Sequence, residues 1–298
     1  MRPITHILCP VDFSEKSHET VKKAGFLARL YQADLTLVHV ISSLSQYMGT
    51  TYGFDSATNP EWFLPMTEQA KEKSREMLRE IKQKHIPYAV KCKSSVRYGR
   101  VSEEILAEAK ETNTDMIVMS MDSRDDLISR SFGNVVTDVV SHSPCPTLVF
   151  HQILEEKGFN KILIPVDISF GADELCDYLV EYFSVRDPEV VIMTVVEQIE
   201  NEGYVGRIKA YLEGFAHKLR AANVENVSVQ VIGGKNIASA INDFAVAGNF
   251  QLVMMNTHAK SGLGGWVMGS VTHSVITRSR VPIFTYRAAK IAEMTEQN

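Results

Sequence analysis

One sequence pattern occurs twice along this chain, and the repeat constrains the fold more than any other feature. His6–Asp12 recurs as Lys161–Asp167, an offset of 155 residues (167 minus 12). Leu37–Val40 recurs as Met193–Val196 at an offset of 156 (196 minus 40). With 298 residues the chain is long enough for two ordinary domains. The repeat therefore predicts two structural units of the same design.

The two copies differ in the length of one connection. Near their ends the offset falls to 136 (282 minus 146), where Ser143–Phe150 matches Ser279–Tyr286. The first copy thus carries about 20 (156 minus 136) extra residues, and they fall in Ile41–Met66, which is rich in Gly, Pro and polar residues. We expect a long irregular loop there. It is either functional or a plain surface excursion, and the sequence leaves both open.

Each copy alternates short apolar runs with longer amphipathic ones. In the first copy we predict strands at 6–12, 35–40, 88–94, 115–119 and 146–150, and helices at 15–31, 67–85, 101–112 and 133–142. In the second copy strands are expected at 160–167, 189–196, 226–232, 250–255 and 281–286. The order predicts an α/β fold of two tandem doubly wound, Rossmann-like domains, 1–152 and 153–290, followed by a polar tail, 291–298. Each domain should contain a five-stranded parallel sheet with helices on both faces.

The composition restricts the classes of partner. The formal net charge is -5, with 45% hydrophobic and 22% charged residues, so a general nucleic-acid binder is not expected. No apolar stretch approaches the roughly 20 residues that span a bilayer, and the start of the sequence has no signal-peptide pattern. We therefore expect a cytoplasmic protein with neither a nucleic-acid nor a membrane partner.

The cysteines and catalytic motifs add no site. Cys9, Cys92, Cys145 and Cys176 are isolated from one another, so we expect small core residues rather than a metal site or disulfides. The sequence has no G-x-S-x-G, G-x-x-x-x-G-K-[ST] or H-E-x-x-H motif. No catalytic residue is assigned.

The ends of the first two strands of each copy are candidate ligand positions. In an open parallel sheet, ligands bind beyond the carboxyl ends of the strands. Asp12 and Asp167 end the first strands, and their carboxylates can accept hydrogen bonds from an adenine amino group or a ribose hydroxyl. Val40 and Val196 end the second strands and can cover a base. The alternative for each Asp is a structural role at the start of the next helix.

The turn after the fourth strand has the same length in both copies. It runs from Met119 to Gly133-Asn134 in the first copy and from Met255 to Gly269-Ser270 in the second. Each turn closes on Gly followed by a small polar residue at a predicted helix N-terminus. Free amides at such an N-terminus favour an anion.

On these residues the chain resembles the universal stress protein family, and specifically its tandem members. The resemblance covers nearly the whole chain twice, through the Pro-Val-Asp strand ends, the Ser-x-Cys-Pro or Ser-x-Val-Pro entries to the fifth strands, and the two turns. It implies a fold of the adenine nucleotide α-hydrolase-like class. Family members that bind ATP carry G-x2-G-x9-G-[S/T] in the turn, where the glycines let backbone amides approach the phosphates.

Both copies keep the spacing of that motif but not all its glycines. The motif positions hold Ser120, Ser123, Gly133 and Asn134 in the first copy, and Asn256, Ala259, Gly269 and Ser270 in the second. A Cβ at a former glycine hinders the approach of backbone to a ligand. The first turn also carries three aspartates, whereas the second carries Lys260 and no acidic residue, which favours the second copy for an anion.

The leading hypothesis is a stress-response binding or signalling module with at most one adenine-nucleotide site, for which ATP is the candidate cofactor. The candidate contacts are Pro165, Val166, Asp167, Val196, Met255, Asn256, Ala259, Gly269, Ser270 and Val271, and, as weaker candidates, Asp12, Val40, Ser120, Ser123, Gly133 and Asn134. The alternative is a nucleotide-free interaction protein with degenerate sites. In the family the fifth strand pairs domains, so it could join the two halves or form a homodimer. A third hypothesis, slow ATP hydrolysis, lacks an identified general base.

Overall fold

Short buried strands alternate with amphipathic helices along the whole described chain. The computed structural model describes residues 4–42, 60–121, 129–151, 159–168, 173–183, 188–199, 201–259 and 267–286. The first sequence repeat forms β1 (His6–Pro10), α1 (Glu15–Tyr31), β2 (Asp34–Ser42), α2 (Pro60–His85), β3 (Cys92–Gly99), α3 (Val101–Glu111), β4 (Met116–Ser120), α4 (Ser129–His142) and β5 (Thr147–Phe150).

The second sequence repeat follows the same order with one small addition. Its elements are β6 (Lys161–Pro165), α5 (Asp173–Phe183), β7 (Glu189–Val196), α6 (Glu202–Ala221), β8 (Val227–Gly233), α7 (Ile237–Ala247), β9 (Leu252–Asn256), β10 (His258–Ala259), β11 (Val267–Met268), α8 (Ser270–Arg278) and β12 (Ile283–Tyr286). The addition is a short antiparallel ribbon, β10–β11, within the segment predicted as a turn.

Two compact units make up the chain. The first unit comprises Ile4–Ser120 and Asn134–Cys145, and the second comprises Met1–Pro3, Met121–Gly133 and Pro146–Asn298. In the first unit the strand order is β3-β2-β1-β4, and every pair is parallel. In the second unit the order is β5-β12-β9-β6-β7-β8. The α/β class with mostly parallel strands, predicted from the sequence, is confirmed.

Strand β5 forms an antiparallel pair, whereas the pairs β1–β2, β1–β4, β2–β3, β6–β7, β6–β9, β7–β8 and β9–β12 are parallel. It comes from the first sequence repeat but pairs antiparallel with β12 inside the second unit. All four of its residues are buried, and Thr147 Oγ1 lies 2.5 Å from Thr285 Oγ1 across the pair. A strand buried on both faces needs neighbours for its backbone groups, and β12 provides one.

Burial of the strands on both faces explains why apolar runs in the sequence predict β-strands. Ile7, Leu8, Leu35 and Leu37 of the first unit are fully buried, as are Ile162 and Leu163 of the second. Parallel strands covered by helices on both faces read as continuous apolar runs. Three of the cysteines, Cys9, Cys92 and Cys176, are also buried, and Cys145 is half-buried. All four are free thiols.

Strand β3 lies further along the chain than predicted. The prediction of 88–94 followed the apolar run after Pro87, but Val90 N donates to Pro87 O at 2.9 Å, so that run forms a turn. The strand occupies Cys92–Gly99 instead and pairs with β2 along its whole length. Gly99 ends it with φ of 143°, a conformation that side chains disfavour.

Two helices begin earlier than predicted. Helix α2 starts at Pro60 rather than 67, because proline suits the first position of a helix although the prediction treated it as a breaker. The predicted Ile41–Met66 loop is therefore too long: β2 reaches Ser42, α2 takes 60–66, and 43–59 lie outside the described residues. Helix α4 starts at Ser129 rather than 133. The predicted tail, 291–298, also lies outside the described residues.

Candidate functional site

The carboxyl ends of β1 and β6 have the same backbone geometry in the two repeats. Val11 N donates to Val38 O at 2.8 Å, and Val166 N donates to Met193 O at 2.7 Å. These pairs keep the repeat offset of 155 (166 minus 11 and 193 minus 38). Each bond extends the parallel pairing by one residue, so the Asp that follows stands at the rim of the sheet in both units.

Asp12 organises the start of helix α1. Its Oδ1 accepts hydrogen bonds from Ser14 N at 3.0 Å and Ser14 Oγ at 2.7 Å, while its own N–H donates to Ser17 Oγ at 3.2 Å. Ser14 caps the helix by accepting from Ser17 N at 3.1 Å. In the first unit the structural role considered for Asp12 is therefore present in the hydrogen bonds.

Phe13 and His39 complete this rim, and the sequence analysis assigned neither of them to it. Phe13 has a left-handed backbone with φ of 65°, which is unusual for an aromatic residue. Its ring centroid lies 4.3 Å from that of His39, whose Nδ1 donates to Val11 O at 2.7 Å. Burial lowers the pKa of His39 below its usual value, so the ring is neutral at physiological pH. Thr194 stands at the corresponding position of the second repeat, one residue after Met193 as His39 is one residue after Val38.

The second unit presents a plainer rim. Pro165 and Val166 are buried, and Asp167 is exposed at the end of β6. Val196 is buried at the end of β7, and its carbonyl accepts from Gly234 N at 2.8 Å. Gly234 allows this approach, because a Cβ there would lie 3.1 Å from the Cβ of Ala240. Val40 is likewise buried near the end of β2 in the first unit.

Helix α8 is anchored to the end of β9. Thr272 Oγ1 donates to Asn256 O at 3.0 Å, and Gly269 N donates to Thr257 O at 3.2 Å. Thr257 in turn donates to Tyr286 O of β12 through both its N–H and its Oγ1, at 3.1 Å each. Met255 is buried beneath this junction. The threonines that fix the junction were not singled out from the sequence, because threonine is common in strands and helices.

The N-terminus of α8 has the predicted form. Gly269 is the N-cap residue, with φ of -59° and ψ of 141°, and Ser270 begins the helix as an exposed residue, followed by the partly exposed Val271. Gly269 brings no side chain that could accept from the amides of the first turn, unlike the N-cap residues Ser14, Asn201 and Asn236. Ala259 lies on β10 and pairs with Val267.

The corresponding place in the first repeat is different. Ser120 ends β4 and is half-exposed, but Gly133 and Asn134 lie inside α4 rather than at its N-terminus. The predicted helix N-terminus at Gly133 is therefore wrong. Ser129 is a favourable residue at a helix start, and no Gly or Pro separates it from Gly133. Ser123 lies outside the described residues.

Among the described residues no three His, Cys, Asp or Glu side chains are grouped so that they could hold a metal ion. None of the described helices combines the length and apolarity that a bilayer crossing requires.

The described geometry defines an α/β protein of the Rossmann-like class, with exposed strand ends and a helix N-terminus at the mouth of the second sheet. The model of the Universal stress protein family matches the chain twice, at residues 3–151 and 158–287. The chain therefore belongs to the universal stress protein family, as a tandem two-domain member.

Known relatives agree with this assignment. Universal stress protein MJ0531 of Methanocaldococcus jannaschii is 27% identical over 150 residues, which cover 50% of this chain and 84% of the relative. Universal stress protein YxiE of Bacillus subtilis is 27% identical over 148 residues, covering 48% of this chain and 96% of the relative. A further match, the Na(+)/H(+) antiporter NhaS5 of Synechocystis, is 23% identical over 178 residues, and the match spans 25% of that longer protein and 59% of this chain.

A solved structure extends the likeness in fold to nearly the whole chain. The universal stress protein from Archaeoglobus fulgidus DSM 4304 superposes with a TM-score of 0.66 at 23% identity, covering 95% of this chain and 96% of that one.

Proposed function

We propose that this universal stress protein binds an adenine nucleotide, with ATP as the candidate, at the mouth of the second sheet, and that it acts as a cytoplasmic binding or signalling module. The candidate contacts are those predicted for the second repeat, from Pro165 to Val271. The function rests on binding, and no catalytic residue is assigned. The boundary between the two domains at 152/153 also remains a proposal.

The observation that carries this proposal is the start of helix α8. Its first-turn amides follow a glycine N-cap, so no side-chain oxygen of that residue competes for them. Backbone N–H groups and the helix dipole at such an end favour a phosphate. The sequence from Asn256 to Gly269 adds Lys260 and contains no acidic residue, so the local charge suits an anion.

The first repeat does not offer a comparable site for a phosphate. Gly133 and Asn134 lie within α4, so their amides belong to the helix interior, where hydrogen bonds run along the chain. Asp12 accepts two hydrogen bonds from Ser14. The sequence between β4 and α4 contains Asp122, Asp125 and Asp126, and three negative charges there disfavour a triphosphate.

Titration calorimetry with ATP tests the proposal. The intact protein should bind with one site per chain, and Gly269→Asp should weaken the affinity at least tenfold, because its carboxylate occupies the helix N-terminus and repels phosphate. Aspartate is a favourable N-cap residue, so the variant should unfold no more easily than the parent protein.

Gly133→Asp is the matched control, since it makes the same substitution at the corresponding position of the first repeat. Its affinity should equal that of the parent protein. Absent binding, or equal binding by all three proteins, would remove the nucleotide proposal. Phosphate release measured in the same samples reports slow hydrolysis, and mass spectrometry of the denatured protein reports a co-purified ligand.

A nucleotide-free interaction protein is the alternative, and one observation favours it. Both repeats lack two of the three motif glycines, at Ser120, Ser123, Asn256 and Ala259. A homodimer through the fifth strands is not favoured, because β12 already has β5 and β9 on its two edges. If the chain forms a homodimer, another surface must carry it.

A further inference from the structure

Strand β8 is an open edge of the sheet of the second unit. It pairs with β7, and no other described strand lies beyond it. Val190 N donates to Asn226 O, and Gly234 N donates to Val196 O, so the even-numbered residues between them turn their backbone groups toward β7. Backbone groups alternate along a strand, and those of Val229 and Val231 therefore point away from the sheet. Within the described chain no group hydrogen-bonds to them.

The sequence of β8 lacks the usual protection of an edge. It reads Val-Ser-Val-Gln-Val-Ile-Gly, with four β-branched residues and neither a charge nor a proline. Natural edge strands commonly carry Lys, Pro or a bulge that prevents pairing with another chain. An uncharged edge of this length is instead a template for β-strand addition.

The other unit provides an internal comparison. Strand β3 holds the equivalent edge in the first unit, and the registers with β2 and β7 place Ser95 where β8 has Gln230, an offset of 135 (230 minus 95). There Lys93 stands where β8 has Ser228, and Arg97 stands where β8 has Ile232. Lys93 is exposed, and Arg97 forms ion pairs with three glutamates. The same fold thus protects one edge with charge and leaves the other apolar.

An exposed apolar side chain lies beside β8, and another lies on the helix that packs against it. Ile199 is 54% exposed and lies beside Gly233, where a Cβ would be 3.5 Å from its Cγ1. Helix α6 packs on β8 and leaves Tyr211 44% exposed, against Phe215. In the described part of the chain five of the six large exposed apolar residues belong to the second unit: Ile168, Ile199, Tyr211, Ile237 and Val246, with Tyr88 in the first.

We propose that β8 binds the β8 strand of a second copy of this chain, antiparallel and related by a two-fold axis. With Gln230 opposite Gln230 all seven residues overlap, and Val229 faces Val231 of the second copy. Both have outward backbone groups, so the two pairs form four inter-chain hydrogen bonds. The strand is complementary to itself in this register, which is why the occupant is a second copy. Isologous pairing of this kind closes on itself as a dimer.

This interaction goes beyond nucleotide binding and does not depend on it. The pairing uses the edge of the sheet, whereas the proposed ligand lies beyond the strand ends and against α8. A contact built on one short strand and a few neighbours is small, so we expect a dissociation constant on the order of micromolar.

Light scattering after gel filtration of the full chain tests the dimer. The parent protein should move from the monomer mass of 33.4 kDa toward twice that value as its concentration rises. Gln230→Lys should raise the dissociation constant at least tenfold, because two like charges face each other at the axis. Gln230 is exposed, so the substitution is compatible with the fold. ATP affinity should be unchanged in this variant.

Two further variants make the result specific. Ser94→Lys places the same charge at an exposed position of β3, the edge strand of the first unit, and should dimerise like the parent protein. Gln230→Glu should be monomeric alone, and an equimolar mixture with Gln230→Lys should restore a dimer of mixed composition. A parent protein that stays monomeric at about 100 times the expected micromolar constant would overturn the proposal. A dimer indifferent to Gln230→Lys, or a mixture that stays monomeric, would overturn it as well.

Discussion

Arg97 on β3 forms ion pairs with three glutamates of helix α3. Its Nε donates to Glu104 at 2.8 Å, one Nη donates to Glu108 at 2.6 Å, and both Nη atoms reach Glu111 at 2.9 Å. These bonds, with Glu111 first, raise the pKa of Arg97, and the bond from Arg97 lowers the pKa of Glu111. Glu108 is nearly buried and accepts also from Ser95.

Arg97→Met should destabilise the protein by about 2 kcal/mol near pH 7, since it leaves the nearly buried Glu108 beside two other carboxylates without its cation. The folded pKa of Glu111 is lowered, so its contact stabilises the protein above the unfolded value of about 4.3 and is lost as pH falls through the folded value. The difference in unfolding free energy between Arg97→Met and the parent protein should therefore decrease below about pH 4. Urea unfolding at several pH values measures this.

Arg100→Met is the control for that comparison. Arg100 pairs with Glu103 at 3.1 Å, with both side chains more than half exposed, and such pairs contribute about 0–1 kcal/mol. If Arg100→Met lost as much unfolding free energy as Arg97→Met, the ion pairs around Glu108 would stabilise the fold no more than an exposed pair does.

Sequence reasoning identified the residue types at the rims but not their partners. Asp12 and Asp167 follow β1 and β6, and Val196 ends β7, as expected, because apolar runs locate buried strands well. Strand β2 continues two residues past Val40, to Ser42. The Phe13–His39 contact escaped prediction, because it depends on a left-handed residue and on the neighbouring strand. Arg97 escaped for a similar reason: its glutamates are local in sequence, but only the strand register makes them converge on it.

Among the elements, the helix starts show how single side chains fix the ends of a helix. Ser14, Asn201 and Asn236 each accept from a backbone N–H three residues on, at 3.1, 2.9 and 3.0 Å. Gly269 gives α8 no such bond. Strand and helix types were predictable from periodicity, whereas the starts of α2 and α4 and the register of β3 were not. Pro60, Ser129 and the Pro87 turn each admit two local structures, and tertiary packing selects one.

Ser14→Ala should cost about 1 to 2 kcal/mol of unfolding free energy, because α1 loses its cap and Asp12 loses the hydroxyl that it accepts from. Asn236→Ala is the matched substitution at α7, where only the cap is lost, and about 1 kcal/mol is expected. Chemical denaturation of both variants gives the comparison. Equal stability of Ser14→Ala and the parent protein would contradict the cap.

At the scale of the whole molecule, the pairing of β5 with β12 shows that a sequence repeat and a compact unit need not have the same limits. The family match ends its first copy at residue 151, yet β5 pairs with β12 and belongs to the second unit. The repeat alone did not reveal this, because identical sequence patterns are compatible with pairing inside either copy. The resemblance to the family did offer it, since the fifth strands were expected either to join the two halves or to form a homodimer, and β5 pairs with β12.

Hydrogen exchange on the intact protein tests the assignment of β5. Leu212→Ala creates a cavity in the second unit and should cost about 2–5 kcal/mol. Protection of the β5 amides should fall together with that of β6 and β9, because the strand opens with its own unit. Leu78→Ala makes the same change in the first unit and should leave β5 protected. If β5 instead follows β1 and β2, the division into units is wrong.

The buried cysteines allow the opening of each of the two units to be followed by a chemical reaction. Burial raises the pKa of Cys92 to about 11 and that of Cys176 to about 12, and it raises the pKa of Cys9 as well. A protonated, enclosed sulfur does not attack an alkylating reagent. Cys9 and Cys92 lie in one unit and Cys176 lies in the other. The rate at which each thiol is alkylated would therefore report how often its own unit opens, and no probe has to be engineered into the protein.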